Sequence, residues 1–247
     1  MGRRRRNKIN LKYFQIFIAI ILSIYIIGYI FIPDKMDYIF LFDINNHITS
    51  GSSNNIPQYN GQSYIILDSN VPNFDEKLIN TKSFEQYSEL DKLGRCGEAI
   101  ANIGADLMPT EKRGTIGSVK PSGWHTIKYS GIDGNYLYNR CHLIGYQLTG
   151  ENANKNNLIT CTREMNTGAM LDFENKVAEY VKSTKNHVLY RVTPVFDNNN
   201  LLAKGVQMEA LSIEDNGAGI KFNVFVYNVQ SGIEINYLNG DSKQIKK

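Results

Sequence analysis

Apolar and polar residues fall into three regimes along this chain. From Tyr13 to Ile32 (YFQIFIAIILSIYIIGYIFI) the residues run without a single charge. Asp43 to Gln62 (DINNHITSGSSNNIPQYNGQ) is rich in Asn, Ser and Gly and shows almost no apolar periodicity, which is the pattern of a flexible tether. Beyond it, short apolar runs alternate with turn clusters. Ser63–Asp68 (SYIILD) reads as a strand. Trp124–Tyr129 (WHTIKY) alternates in the manner of a strand and is followed by SGIDGN, an Asp-Gly turn of the kind that closes hairpins. Tyr136–Leu148 (YLYNRCHLIGYQL) then reads as the returning strand, with His142 in it or near its end. Thr167–Thr184 (TGAMLDFENKVAEYVKST) is the best helix, because Leu171, Glu174, Val177 or Ala178, and Val181 recur at steps of three and four. HVLYRVTPVF, VQMEALSI and FNVFVYNV follow as strands. Strand, strand, helix and then several strands predicts an α+β domain.

The charges are segregated. Of 27 Lys+Arg, six lie in the first twelve residues (Arg3, Arg4, Arg5, Arg6, Lys8, Lys12), and all 24 acids follow residue 33. Removing those six leaves 21 cations against 24 acids, a net charge of −3 beyond the basic segment. A slightly acidic domain does not hold nucleic acid by bulk charge, so any such binding needs a local basic patch. The uncharged run is long enough at a helical rise to cross a bilayer core of about 30 Å. Its N-terminal cations place residues 1–12 in the cytoplasm, residues 13–32 in the lipid bilayer as a signal anchor, residues 33–61 as a tether, and residues 62–247 outside the cell. The expected location is the cell membrane, as a single-pass protein. The alternative is a cleaved signal peptide and a secreted domain; it would need a small-residue cleavage site, and GYIFIPDK supplies none.

Cys141 and His142 stand side by side, with Arg140 before them and a run of asparagines after. A nucleophile site, a metal site and an inert polar loop are the competing readings. Neighbours in an extended strand point to opposite faces, which is poor geometry for a nucleophile and its own base. No C-x-x-C pair exists, so a structural zinc site has no support.

The stretches PSGWHTIKY, YNRCHLIGYQLTGENANKNNLIT and TREMNTGAMLDFE together resemble the DNA/RNA non-specific endonucleases, whose site is of the ββα-metal (His-Me finger) kind. The likeness extends more loosely over LGRCGEAIANIGADLMPTEKRGTI and covers roughly residues 62–240. It implies a ββα-metal nuclease core on a mixed or antiparallel sheet. It implies Mg²⁺, with Mn²⁺ as a substitute, and hydrolysis of DNA, with RNA as a second substrate, at any sequence, leaving 5′-phosphate ends. The family's DRGH-like motif matches NRCH here, which makes His142 the general base and Arg140 a phosphate contact. The family's single Asn metal ligand matches Asn166, and its water-orienting Glu matches Glu174. Asn139 replaces the motif's Asp and Cys141 its Gly. Arg163, Lys128 and Trp124 are further candidate substrate contacts, although Trp124 also suits a core and Arg163 could pair with an acid. His125 and His187 suit structural roles, and His47 in the tether an inert one.

Those residue types suit phosphodiester hydrolysis. A neutral imidazole, with a reference pKa near about 6.5, can take a proton from water. One amide oxygen is a hard ligand for a cation that keeps several waters. Glu174 lies eight residues past Asn166, and one straight helix would part them by about 12 Å. The helix is therefore expected to start after Asn166, with the preceding chain folded back. The alternative function is a surface-anchored nucleic-acid-binding or adhesion module with this fold and no turnover. For the three cysteines, the outside location and the resemblance favour a Cys96–Cys141 disulfide. Cys161 stands where related sequences have Gly, and the 96–161 and 141–161 pairings remain open.

Overall fold

The computed structural model describes residues 56–246. The basic segment, the anchor at 13–32 and the tether up to residue 55 lie outside them. Among the described residues no helix is long and apolar enough to cross a membrane.

The strands in chain order are β1 (Tyr64–Ile66), β2 (Phe84–Tyr87), β3 (Ala99–Ile103), β4 (Tyr138–His142), β5 (Leu158–Thr162), β6 (Val188–Val195), β7 (Gly205–Ser212), β8 (Lys221–Tyr227), β9 (Ile233–Ile235) and β10 (Ser242–Gln244). The α-helices are α1 (Tyr146–Thr149), α2 (Arg163–Thr167) and α3 (Ala169–Thr184). Six strands form one antiparallel sheet in the order β1-β8-β7-β6-β3-β2, and β4-β5 and β9-β10 are separate two-stranded ribbons. The α+β expectation holds.

Both faces of the large sheet are covered, which is why its central strands read as near-continuous apolar runs. On one face α3 lays down a stripe that includes Met170, Phe173, Val177 and Val181. Phe173 packs edge-on against Tyr64 at 5.1 Å and tilted against Phe222 at 4.8 Å between ring centroids. On the other face Ile65, Leu67, Phe225 and Tyr227 form one cluster, and Ile100, Leu189 and Ile213 another.

The β4–β5 ribbon carries the candidate residue His142, and here the structure departs from the sequence reading. β4 pairs with β5, with His142 opposite Leu158, and not with Trp124–Tyr129. The earlier segment closes only a rudimentary hairpin through the Lys128–Tyr136 bridge and the Tyr129→Asn135 and Leu137→Ile127 backbone bonds. Its alternation has another cause: Trp124, Ile127 and Tyr129 pack onto a small core of Ile132, Leu137, Tyr138, Leu202 and Ile233. The expected strand also stops at His142. Tyr146–Thr149 is a helical turn that ends at Gly150, whose φ of +70° suits glycine. β3 (AIANI) and β5 (LITCT) are buried at every position, so neither shows the alternation that would reveal it.

Candidate active site

The ribbon is bolted to the sheet by Asn228, a fully buried side chain. Its carbonyl oxygen accepts from the Thr162 amide at 2.8 Å, and its NH₂ donates to the Thr160 and Ala203 carbonyls. Thr162 then ends β5 and caps α2, its hydroxyl accepting from the Met165 amide at 3.1 Å. Strand, strand and helix thus follow in the ββα order, and the cap sets where Asn166 is presented.

The helix breaks between Thr167 and Ala169. A Cβ at Gly168 would meet the Glu164 carbonyl oxygen at 2.7 Å, so only glycine passes the chain through this bend. Asn166 lies on α2 and Glu174 on α3, and both line the same cleft. The expectation of a break near Asn166 holds, but the preceding residues form their own helical turn.

His142 is buried, with 7% exposure. Its Nε2 lies 2.7 Å from the Asn152 carbonyl oxygen, which can only accept, so Nε2 carries the proton. Nδ1 lies 3.4 Å from an Arg113 guanidinium nitrogen, which can only donate. Both contacts require the same tautomer, with the lone pair on Nδ1. Burial holds the imidazole pKa below its ordinary value; the Asn152 contact raises it in part, and the Arg113 charge lowers it further. This environment favours the neutral imidazole.

The chain beyond His142 is clamped by Asn157, also fully buried. Its side chain accepts from the Ile144 amide at 2.9 Å and donates to the Ile144 carbonyl at 3.0 Å. This clamp delivers Gly145 to Glu174. A Cβ at Gly145 would fall 2.5 Å from Glu174 Oε2, so the glycine is required by space and not by its φ of −59°. Burial pushes the Glu174 carboxyl up to about 8, against the opposing pull of the Gly145 amide and the Arg113 charge.

Asn139, which stands where the motif has Asp, accepts through Oδ1 from Asn166 Nδ2 at 3.4 Å and from an Arg163 nitrogen at 3.3 Å. With its NH₂ so engaged, Asn166 has its amide oxygen free for another partner. His142, Asn166, Glu174 and Arg113 line one cleft of about 320 Å³. A second cleft of about 570 Å³ shares Arg113 and Asn166 with the first.

The other candidates are placed differently. Arg140 donates from Nε to the Val119 carbonyl and from Nη2 to the Gly117 carbonyl at 3.1 Å, and its guanidinium stacks 3.9 Å from the Trp124 ring centroid. It holds the 117–119 loop as well as facing the second cleft. Trp124 therefore has one face covered by Arg140 and packs on the small core. Arg163 pairs with an acid, Asp133, at 2.6 Å. Lys128 is exposed and lies over the Tyr136 ring. His125 contacts the Asn239 carbonyl and His187 pairs with Glu214, both structural arrangements.

The disulfide expectation needs correction: Cys141 is bridged to Cys161, and Cys96 is free and buried. In the β4–β5 register Cys141 opposes Ile159 while Cys161 opposes Asn139, so the two cysteines are diagonal neighbours on one face, with Cα atoms 5.9 Å apart. The Cys96 thiol donates to the Lys155 and Leu158 carbonyls, and burial pushes it up to about 12. A bridged, fully buried Cys141 is no nucleophile.

Arg113 was missed in the sequence. It sits in the irregular stretch TEKRGTI, where a lone arginine among turn residues carries no periodic signal. The one available hint was its lying within the loosely matching 93–116 segment.

Residues 75–213 match the profile of the DNA/RNA non-specific endonucleases. The chain belongs to that family. The endonuclease also superposes on solved nucleases. NucA from Streptococcus agalactiae with no metal bound is 24% identical with a TM-score of 0.67, covering 83% of this chain and 95% of NucA. The same NucA with magnesium ion bound gives 23% identity and the same TM-score of 0.67, over 83% of this chain and 96% of that one. Sda1 nuclease with bound zinc ion is 32% identical with a TM-score of 0.54, over 64% of this chain and 79% of Sda1. The enzyme is a phosphodiester hydrolase acting on nucleic acid, and its ribbon and broken helix hold the candidate side chains.

Proposed function

We propose that the enzyme is a Mg²⁺-dependent endonuclease of extracellular DNA, and of RNA, with His142 as general base and Asn166 as the protein ligand to the metal. The observation that carries this reading is the tautomer of His142: a buried imidazole lining the cleft, with its lone pair on Nδ1 beside Arg113, is equipped to take a proton from an attacking water.

The donor set fits a hard cation. Among the described residues no three His, Cys, Asp or Glu side chains cluster as a metal cage. Asn166 presents one neutral oxygen, with Glu174 in the same cleft. Such a site suits an ion that keeps most of its waters and takes substrate oxygens as further ligands. When bound, the cation would stabilise charge on the phosphate's nonbridging and leaving oxygens. Solved relatives are described with magnesium in NucA and with zinc in Sda1.

The chain's own groups supply the rest. Asn152 holds the His142 ring, so no rotation precedes proton transfer. Arg113 reaches His142 from an exposed loop and is placed to meet a phosphate bound there, where its charge would offset that developing in the transition state. Glu174 orients water beside the metal ligand.

Two further solved relatives are described as an extracellular endonuclease and an extracellular nuclease, which supports action outside the cell. The uncharged run at 13–32 would hold the enzyme there as a membrane-anchored protein, and a cleaved leader would release it. Incubating the purified full chain with supercoiled plasmid in Mg²⁺ and in EDTA tests the reading. Nicking in Mg²⁺ alone is expected. No nicking with Mg²⁺ or Mn²⁺, or undiminished nicking in EDTA, would overturn it.

A further inference from the structure

The second cleft contains an aromatic ring that the hydrolytic site does not use. Tyr136 is 45% exposed, while the tyrosine two residues on, Tyr138, is 3% exposed in the core. The ring lines the second cleft together with Asn139, Arg140, Arg163 and Asn166. Lys128 Nζ lies over one face, 4.6 Å from the centroid. The backbone bridge between Lys128 and Tyr136 fixes where the ring is mounted, and Leu137 beside it is fully buried. Tyr136 is therefore an anchored ring with an open side.

The cations of this cleft are largely committed. Arg163 is held by Asp133 and Asn139, and Arg140 by two main-chain carbonyls and the Trp124 face. Trp124, with Arg140 on its ring, is not free to receive a planar ligand. What the cleft still offers is the Tyr136 face, continuous through Asn166 with the site of hydrolysis.

We propose that Tyr136 is a base-stacking platform and that the second cleft receives an unpaired nucleobase beside the scissile phosphate. The ligand class is a nucleobase of single-stranded DNA or RNA. Stacking accepts every base because each has a π-face, so the platform adds affinity without adding sequence preference. A base within a duplex already has both faces stacked, so the platform favours strands that are single or locally opened. This inference rests on the nuclease reading.

The test uses the full chain, in detergent, and two end-labelled single-stranded oligonucleotides of equal length. One carries bases throughout, and the other has a central run of abasic units with the same phosphodiester bonds. For the wild type, kcat/KM within the abasic run should fall by about tenfold or more, the scale of one lost base–aromatic stack. Tyr136→Ala should lower cleavage of the base-bearing strand to the abasic level and leave abasic cleavage unchanged. Tyr136→Phe should behave as wild type, and Tyr136→Leu, which keeps bulk without a π-face, as Tyr136→Ala. Equal losses on both substrates, or normal cleavage of the base-bearing strand by Tyr136→Ala, would overturn the platform. If the wild type cleaves neither strand and nicks no plasmid, the nuclease reading fails by itself. The platform is then decided by fluorescence anisotropy of the same two oligonucleotides in EDTA, where Tyr136→Ala must weaken binding of the base-bearing strand selectively.

Discussion

The Asn152 carbonyl oxygen lies 2.7 Å from His142 Nε2, and this one contact decides which ring nitrogen can act as a base. It is a main-chain contact, so substitution of the Asn152 side chain need not remove it. The partner to test is therefore the histidine. His142→Ala should lower the turnover rate by about 10²–10⁴-fold, the usual worth of a positioned general base, while DNA binding persists. Initial rates at saturating Mg²⁺, with circular dichroism to show the variant is folded, check this. A folded His142→Ala enzyme with near-normal turnover would remove His142 from the mechanism.

The pH dependence follows from the same environment. Burial and Arg113 hold the His142 imidazole below its ordinary value of 6.5. The base form is lost as the pH falls, so the rising arm of the kcat profile should have its midpoint below 6.5. Arg113→Ala removes one of the two lowering influences, and its midpoint should move up. A midpoint that stays in place in Arg113→Ala would contradict the assignment.

Stability in EDTA should show the opposite slope. The Glu174 carboxyl is raised from 4.5 to about 8 in the folded protein, so above 4.5 the unfolded chain releases a proton that the folded one keeps. The contribution is fully present below 4.5 and declines as pH rises to about 8. His142 acts the other way, with stability lost as pH falls below 6.5. Between pH 6.5 and 8 only the Glu174 effect remains, so the Tm in EDTA should fall across that window. Glu174→Gln should flatten the slope there.

Gly145→Ala tests the fit between the clamp and the carboxylate. A methyl 2.5 Å from Glu174 Oε2 must displace one of them. Turnover should fall by at least tenfold with little loss of secondary structure. Normal turnover would mean that the position of Glu174 is not critical.

Asn166→Ala should abolish most Mg²⁺-supported cleavage and barely alter folding, since one amide ligand contributes little to stability. Asn139→Ala should weaken activity less, because it removes an acceptor that orients the Asn166 amide and leaves the amide itself in place. Metal titrations of activity distinguish the two: the loss in Asn139→Ala should be partly recovered at high Mg²⁺.

A non-reduced digest should contain a Cys141–Cys161 peptide pair, with Cys96 alkylated only after denaturation. The bridge spans a sequence separation of 20, so breaking it should cost about 3 kcal/mol by loop entropy. Recovery of a Cys96–Cys141 pair would contradict the Cys141–Cys161 bridge.

Much of the molecule was legible in the sequence because its signals are local. Periodicity marked α3, apolar runs marked β6, β7 and β8, and the order of His142, Asn166 and Glu174 within a known motif pointed to the proposed chemistry. Other features depend on partners distant in the chain, which periodicity cannot name. β5 is buried on both faces and so hides among apolar residues; without it neither the true hairpin nor the Cys141–Cys161 bridge can be read. Arg113 reaches His142 from 29 positions upstream along an irregular loop. The His142 tautomer is set by a carbonyl, which every residue has and no sequence displays. Residue types determined which groups could do the chemistry, whereas strand pairing and loop closure decided which of them meet, because contacts between distant segments depend on how the whole chain packs.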